Sequence, residues 1–237
     1  RSTLTYSLTV QGGTGIESVT GDNNNVTLGD SYAITATLTD GYKFVGWTAD
    51  VAANAEIAEA SNASTSVVVK NGSVVLTASA TEFLSTLTTA NAYNEGDAGL
   101  AIPSSTVSEI GVVTTANVTA TPACVGYVFA NWTLTNCERI DGGAENATSI
   151  TVKSKGDGAA ASVVANYTKV PTATVYFVNN KSWSTIKVYA WGGSVGENAT
   201  WPGLDITANK ETEKLGEFDV YSYTVNQGAH AKLIFND

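Results

Sequence analysis

A repeated aromatic motif is the feature that most restricts how this chain of 237 residues folds. The stretch YAITATLTDGYKFVGWT, which begins at Tyr32, is matched by ANVTATPACVGYVFANWT, which begins at Ala116. Both run from an alternating segment that ends in Thr-Ala-Thr, through a turn, into Gly-Tyr-x-Phe-x-x-Trp-Thr. Such self-similarity indicates one structural unit that is used twice. We therefore predict two copies of a small unit, at residues 1–82 and 83–169, and a different unit at 170–237.

The hydropathy pattern of both copies is that of β-strands. Apolar residues alternate with polar ones, as in the series Tyr6, Leu8 and Val10, which is the period of a strand with one buried face. The pair Asn71-Gly72 predicts a tight hairpin turn. Residues 52–60, rich in Ala and Glu, suit one or two helical turns at most. The predicted fold class is therefore all-β.

Charge and composition exclude several kinds of partner. The net charge is −10, whereas nucleic acid and anionic lipid bind to basic surfaces. No apolar run approaches the roughly 20 residues that span a bilayer, so we predict no membrane insertion. The abundance of Thr, Val, Ala, Asn and Gly is typical of extracellular β modules. The opening RSTLTYSLTV has neither a signal peptide core nor an initiating Met, so we expect an internal fragment. We also expect a monomer.

Few residues are suited to catalysis or to metal binding. Cys124 and Cys137 lie near each other in sequence, so they are a candidate disulfide if a hairpin joins them, and two buried thiols otherwise. His230 has no neighbouring cysteine, and the sequence contains no phosphate-binding loop and no zinc motif. We therefore predict no catalytic residue, no metal site and no cofactor.

The two copies resemble a known family. Their opening strand, Gly-rich turn, xITATxxxGYxFxGWT motif and final VxLTAxAT are similar to the divergent internalin-type B-repeat of bacterial surface and secreted proteins. The second copy departs from the motif with Asn131 where the first has Gly46. The resemblance implies small β-rich spacers. We interpret the repeated Trp47 and Trp132 as core residues, with a glycan or protein contact as the alternative.

The last unit is denser in aromatic residues than the copies. Val170-Pro171 interrupts the strand pattern before it, because Pro lacks the backbone donor of a sheet ladder. The segment 184–191 predicts a strand that turns Ile186, Val188 and Ala190 toward a core. The opposite face, which meets water, then carries Lys187, Tyr189 and Trp191.

A polar loop returns a further ring, Trp201, to this exposed face. Two rings from a strand and one from a loop form a bent platform. The C–H faces of a sugar stack on such rings, while its hydroxyl groups hydrogen-bond to nearby polar side chains. The alternative is a strand buried on both faces, in which Tyr189 and Trp191 are core residues.

The same residues carry a second resemblance. The stretches VYFVNNKSWSTIKVYAWGG, ATWPG, FDVYSYTV and LIFND are similar to the family 26 starch-binding modules of bacterial amylases. The resemblance implies a β-sandwich that holds an α-glucan on Tyr189, Trp191 and Trp201, with Trp183 and residues 220–225 in the core. We add the neighbouring Lys187 to the carbohydrate-binding residues. Family members continue past the equivalent of IFND into a further strand, so we expect either a truncated module or a strand supplied from elsewhere.

Three classes of function remain to be weighed. The predicted function is non-catalytic binding of starch, amylose and malto-oligosaccharides, in a secreted or cell-surface bacterial protein that degrades starch, with the repeats as spacers. A purely structural or adhesive surface protein is the alternative. An enzyme is disfavoured, because glycoside hydrolysis requires two carboxylates across a sugar cleft. The acidic side chains near the platform read as a solvated turn region: Asp205, Glu211, Glu213, Glu217 and Asp219.

Overall fold

The computed structural model describes residues 4–237, so the first three residues of the predicted unit 1–82 lie outside the described residues. The described part is nearly all β-strand, which confirms the all-β prediction. Its only helical segment is the 3-10 turn Ala52–Asn54, because the chain is extended again at Ala55–Ile57. Among the described residues, no helix is long and apolar enough to cross a membrane.

The first copy forms two four-stranded sheets that pack around one core. Its strands are β1 (Tyr6–Gly12), β2 (Ile16–Thr20), β3 (Asn23–Val26), β4 (Ser31–Leu38), β5 (Tyr42–Ala49), β6 (Ala55–Ile57), β7 (Ser64–Val69) and β8 (Val74–Glu82). One sheet has the order β3-β1-β8-β5 and the other has the order β2-β4-β7-β6. Buried Leu8, Ile34, Val67 and Leu76 fill the space between them.

The second copy repeats this arrangement. Its strands are β9 (Ser85–Tyr93), β10 (Ser104–Ser105), β11 (Glu109–Ile110), β12 (Ala116–Thr119), β13 (Ala123–Cys124), β14 (Tyr127–Thr135), β15 (Cys137–Arg139), β16 (Ser149–Ser154) and β17 (Ala161–Lys169). The sheet orders are β11-β9-β17-β14-β13 and β10-β12-β16-β15, which match those of the first copy except for β13 at one edge. Ile110, Val118, Ile150 and Val163 are buried in its core.

The first and last strands of each copy pair in parallel, which the sequence analysis did not anticipate. Strand β1 pairs with β8 from Leu8↔Val74 onward, and β9 pairs with β17 up to Tyr93↔Tyr167. The remaining ladders are antiparallel, so each of these sheets is mixed. Period-2 alternation identifies strands but carries no information about the direction of their partners.

A β-bulge occurs at the same position of both copies. The register of β5 against β8 shifts between Phe44 and Gly46, and the register of β14 against β17 shifts between Phe129 and Asn131. The bulge therefore does not depend on the glycine that the second copy lacks. It belongs to the Gly-Tyr-x-Phe-x-x-Trp motif, in which it bends the strand between the Phe and the Trp.

The predicted hairpin at Asn71-Gly72 is wrong. This turn joins β7 to β8, and these strands lie in different sheets of the first copy. The turn therefore carries the chain across the core from one sheet to the other. Asn-Gly does form a tight turn here. Whether such a turn joins two paired strands or two strands of different sheets depends on the partners of those strands.

The candidate disulfide between Cys124 and Cys137 is also wrong, because both cysteines are free. Cys124 pairs with Tyr127 at the start of β14, whereas Cys137 follows the other end of that strand. A strand of nine residues separates them by roughly 30 Å, far beyond the reach of a disulfide. Burial raises the pKa of both thiols, and the Cys137 thiol lies against the carbonyl of Ser162.

The third unit is a small sandwich of two three-stranded sheets. Its strands are β18 (Thr172–Val178), β19 (Lys187–Trp191), β20 (Leu204–Asp205), β21 (Lys210–Leu215), β22 (Phe218–Asn226) and β23 (Lys232–Asn236). The sheet orders are β18-β22-β21 and β20-β19-β23. Buried Ile186, Val188, Ile206 and Tyr221 form the centre of the core. Phe177 stacks between Trp183 and Phe235, with ring centroids 5.3 and 5.0 Å away, so Trp183 packs against the core as predicted.

The two copies meet at the Gly-Tyr turn of the first. The amide of Phe83 donates to the carbonyl of Gly41, and Val112 of the second copy packs on the same glycine. Gly41 has a φ of +86°, and a Cβ there would lie 2.4 Å from the Val112 side chain. Only glycine fits both constraints.

Glu82 ties the end of the first copy to a turn of the second. Its carboxylate accepts hydrogen bonds from the amides of Val113 and Thr114, at 2.9 and 3.2 Å, and from the Thr114 hydroxyl. Burial disfavours the charge, but these hydrogen bonds outweigh that cost and lower the pKa of Glu82.

The second copy and the third unit meet in the same way. The amide of Val170 donates to the carbonyl of Gly126 in the second Gly-Tyr turn. The side chain of Asn226, from β22, accepts a hydrogen bond from the Gly126 amide and donates to the carbonyls of Cys124 and Tyr127, at 2.8 and 3.3 Å. One amide side chain thus fastens the third unit to the second copy.

Candidate functional site

The strand predicted at residues 184–191 is β19, which begins only at Lys187. The predicted core face is observed, because Ile186, just before the strand, is buried as well. Val188 and Ala190 are fully buried. In the antiparallel partner β23, the residues opposite Lys187, Tyr189 and Trp191 lie on the same outer face. These are, in the same order, Asn236, Ile234 and Lys232. The outer face of the β19–β23 pair, together with Trp201, is called the platform below.

The loop between β19 and β20 is held against β19 by one side chain, Asn198. Its amide oxygen accepts from the amide of Ala190 at 3.0 Å, and its amide nitrogen donates to the carbonyl of Val188 at 3.0 Å. The backbone amide of Asn198 donates to the carbonyl of Ala190, and its side chain also donates to the Tyr223 hydroxyl. Asn198 thereby replaces a neighbouring strand along this part of β19.

A tight turn after Asn198 presents Trp201. The amide of Gly203 donates to the carbonyl of Thr200, and Gly203 has a φ of +106°. A Cβ at Gly203 would lie 2.2 Å from the carbonyl oxygen of Val188, so this position also requires glycine. The side chain of Asn236 donates to the carbonyl of Pro202 at 3.0 Å. The turn is therefore fixed to both β19 and β23.

The three predicted rings come together on the platform. Tyr189 and Trp191 stack with centroids 5.3 Å apart and planes inclined by 24°. Trp201 meets Tyr189 at 5.3 Å with an interplanar angle of 81°. The Trp201 side chain is 60% exposed, whereas Tyr189 and Trp191 are half-buried. The result is a continuous aromatic surface with a sharp bend between Tyr189 and Trp201.

Two acidic residues border this surface. The carboxylate of Glu197 lies near the Tyr189 hydroxyl and raises the pKa of that tyrosine. Lys187, the fourth predicted residue, lies opposite Asp205 in the β19–β20 ladder. The pKa of Asp205 is lowered, first by its hydrogen bonds with Thr207 and to a lesser extent by the charge of Lys187. Lys187 thus lies at the rim of the platform, beside a carboxylate.

Several residues around the platform were missed by the sequence analysis. Glu197 and Asn198 lie in a loop whose polar composition gave no signal for individual roles. Ile234 and Asn236 did have a signal, because KLIFN alternates between outward and inward residues like the neighbouring strand. Ile234 is 43% exposed beside Tyr189, so it adds an apolar side chain to the platform.

Of the acidic residues near the platform, Asp205 and Asp219 have partners within the protein. Asp219 forms ion pairs with Lys210 and Lys214 at 2.8 and 3.1 Å. Within residues 4–237, no group of three or more His, Cys, Asp and Glu side chains is placed to hold a metal ion. The arrangement is suited to stacking an apolar ring face and hydrogen-bonding its polar edge.

Models of known protein families match both parts of the chain. The model of the divergent InlB B-repeat domain matches residues 6–81 and 86–171, which together make up more than half of the chain. The chain belongs to the divergent InlB B-repeat family. Residues 175–237 match the model of starch-binding module 26. No curated protein and no solved structure matches the chain.

The matches agree with the two resemblances identified from sequence motifs. Both families are non-catalytic types of module, and the second supports starch binding by the part of the chain that carries the platform. The unit boundaries at residues 82 and 169 stay predictions.

The repeated tryptophans of the two B-repeats have the same setting. The indole nitrogen of Trp47 donates to the carbonyl of Asn62 at 3.0 Å, and that of Trp132 donates to the carbonyl of Ala147 at 2.8 Å. Each ring also packs against the Phe of its motif, Phe44 or Phe129. Trp47 is buried and Trp132 is half-buried in its core. Both tryptophans therefore pack in the B-repeat cores, as interpreted from the sequence.

Proposed function

We propose that this protein binds starch and related α-glucans without cleaving them, through Tyr189, Trp191 and Trp201, with Lys187 at the rim. The observation that carries the proposal is the exposed Trp201 ring standing at 81° to Tyr189 on a rigidly held turn. The core does not need this ring, so a ligand that stacks on it is the most direct explanation for exposing so large an apolar surface.

The bend of the platform favours an α-glucan over a flat polysaccharide. Amylose and malto-oligosaccharides are wound, so successive glucose rings present their faces in different directions. Surfaces inclined by 81° match such a chain, whereas a flat ribbon such as cellulose touches only one of them. Ile234 extends the apolar surface beside Tyr189.

The affinity expected from this surface is modest. If each of the three rings covers on the order of 50 Å² of apolar sugar surface, the gross gain is about 4 kcal/mol before hydrogen bonds and association costs. Binding should therefore lie roughly in the micromolar to millimolar range. Since the ligand is uncharged, affinity should depend little on salt.

We assign the two B-repeats a spacer role in a secreted or cell-surface bacterial protein that degrades starch. The B-repeat and starch-binding families support an extracellular setting, because a starch granule lies outside the cell that uses it. The repeats fix the distance between the platform and whatever precedes them. We expect the protein to act as a monomer.

The proposal is tested by co-sedimentation of the protein with insoluble starch granules, with microcrystalline cellulose as the control. We expect the protein to be depleted by starch, released by added maltoheptaose, and left in solution by cellulose. Prolonged incubation with amylose should produce no new reducing ends. Failure to sediment with starch would favour the purely structural alternative, and new reducing ends would contradict a binding-only function.

A further inference from the structure

A second surface lies next to the platform, in a cleft between the second B-repeat and the third unit. The cleft has a volume of about 740 Å³, within the range of ligand sites. The B-repeat lines it with Val125 and Val128, and the third unit lines it with Val195 and Leu204. Three of these apolar side chains are substantially exposed: Val125, Val195 and Leu204.

Polar groups suited to hydroxyl ligands are set among these apolar side chains. Glu197, Gln227 and His230 line the same cleft. The Nδ1 atom of His230 lies 2.8 Å from the carbonyl of Gly196, which leaves its other ring nitrogen for a ligand. The only acidic and basic side chains of the lining are Glu197 and His230, so the cleft is suited to an uncharged ligand with apolar and hydroxyl surfaces.

The two walls of the cleft are fixed to each other. The side chain of Asn226 hydrogen-bonds to the turn on both sides of Val125. It accepts from the amide of Gly126 and donates to the carbonyl of Cys124. The backbone amide of Val170 donates to the carbonyl of Gly126 at the same junction. A cleft whose walls are preformed requires little ordering when a ligand enters.

The cleft is continuous with the platform. Glu197 lines the cleft, and its carboxylate lies near the hydroxyl of Tyr189, whose pKa it raises. Leu204 lines the cleft three residues after Trp201 and pairs with Val188 of β19. The loop of Glu197 therefore has the platform on one side and the cleft on the other.

We propose that the cleft is an extension of the α-glucan site, in which the second B-repeat contributes directly to binding. This inference rests on the proposed function. A short oligosaccharide occupies the rings of the platform alone. A longer chain passes the loop of Glu197 and rests between Val125 of the B-repeat and Val195 of the third unit. The protein therefore selects for chain length, and the second B-repeat is more than a spacer.

The test compares a short and a long ligand on matched surface variants of the full chain. Val125→Glu places a charge at the mouth of the cleft, and Ile102→Glu places the same charge on the second B-repeat outside the cleft lining. The two side chains are comparably exposed, at 57% and 64%, so neither change disturbs a core. Isothermal titration calorimetry measures the Kd of maltotriose and of maltodecaose for each protein.

We expect Val125→Glu to weaken maltodecaose binding about fivefold, equivalent to about 1 kcal/mol, and to leave maltotriose binding unchanged. Ile102→Glu should leave the affinities for both maltodecaose and maltotriose unchanged. Equal maltodecaose affinity in Val125→Glu and the unaltered protein would overturn the inference while leaving the proposed function intact. Failure of maltotriose to bind the unaltered protein would instead overturn the proposed function. A concentration-dependent dimer in sedimentation velocity that Val125→Glu abolishes would show that a second copy of the chain occupies the cleft.

Discussion

The ring of Trp201 meets the ring of Tyr189 edge-on, with centroids 5.3 Å apart and planes inclined by 81°. Tyr189 is positioned by the ladder of β19 and β23, whereas Trp201 is positioned by a turn that Asn236 and Gly203 hold against those strands. The bend of the platform is therefore a property of the folded protein before any ligand arrives. It follows that the two rings can be removed separately, with different consequences.

Replacing Trp201 with Ala should weaken maltoheptaose binding by roughly 1–3 kcal/mol while leaving the melting temperature unchanged. The ring is mostly exposed, so its removal deletes a stacking surface without opening a cavity in the core. Calorimetry with maltoheptaose and thermal unfolding followed by circular dichroism measure the two quantities. An unfolded third unit, or an unchanged affinity, would contradict the assignment of Trp201 to the platform.

Replacing Trp183 with Ala should have the opposite effect. Trp183 stacks on Phe177 against the core, so its loss should cost about 3 kcal/mol and lower the melting temperature of the third unit. Protein that remains folded should bind maltoheptaose normally at low temperature, because Trp183 does not belong to the platform. Reduced affinity of fully folded Trp183→Ala would show that this ring also contacts the sugar.

Asn198 should be required both for stability and for binding. Asn198→Ala leaves the amide of Ala190 and the carbonyl of Val188 without their side-chain partner, which costs about 1–3 kcal/mol for buried groups. The loop then keeps its backbone bond to Ala190 and the contact of Asn236 with Pro202, but it loses its side-chain contacts with β19. The turn that carries Trp201 is held less firmly, so affinity should fall together with the melting temperature. Asn198→Asp keeps the acceptor for Ala190 but places a carboxylate oxygen against the carbonyl of Val188, so it should also lower the melting temperature and the affinity.

Thr200→Ala is the matched control for Asn198, since Thr200 is exposed in the same loop. It should change neither quantity. If Thr200→Ala and Asn198→Ala behave alike, Asn198 does not position the loop.

Glu82 should make the junction between the B-repeats sensitive to acid. Its pKa is lowered in the folded protein, so its contribution to stability is present above pH 4.5, the ordinary pKa of a glutamate, and is lost as the pH falls through the lower folded value. Glu82→Gln should therefore melt a few degrees below the unaltered protein at pH 7, and the difference should shrink as the pH falls below 4.5 and through the lowered folded pKa of Glu82. Melting curves from pH 7 to pH 3 measure this. A difference that is the same at every pH would show that the carboxylate charge has no part in the junction.

The features that could be predicted from the sequence are those encoded by local patterns. The alternation of Val188 and Ala190 with Tyr189 and Trp191 identified the two faces of β19, because burial of one face imposes a period of two. The duplicated motif identified the B-repeats, since the same side chains fill the same core positions in both.

The features that could not be predicted depend on partners distant in sequence. Nothing near Cys124 indicates that a full strand separates it from Cys137, and nothing near Asn71 indicates that β7 and β8 belong to different sheets. The roles of Asn198 and Asn226 depend on backbone groups that the fold brings to them from other strands. A single polar residue in a loop carries no local pattern from which such contacts can be inferred.

The parallel pairing of the first and last strands of each B-repeat has a mechanical consequence. A load that acts across the two ends of a B-repeat enters the repeat through its terminal strands. In each repeat the first and last strands, β1 and β8 or β9 and β17, run parallel. Pulling on the N-terminal end of the first strand and on the C-terminal end of the last therefore slides one strand along the other. All the hydrogen bonds between the two strands then share the load, instead of opening one after another from an end. Each B-repeat is thus built as a shear clamp, which resists a pull on its two ends more strongly than a pair of strands that opens one hydrogen bond at a time.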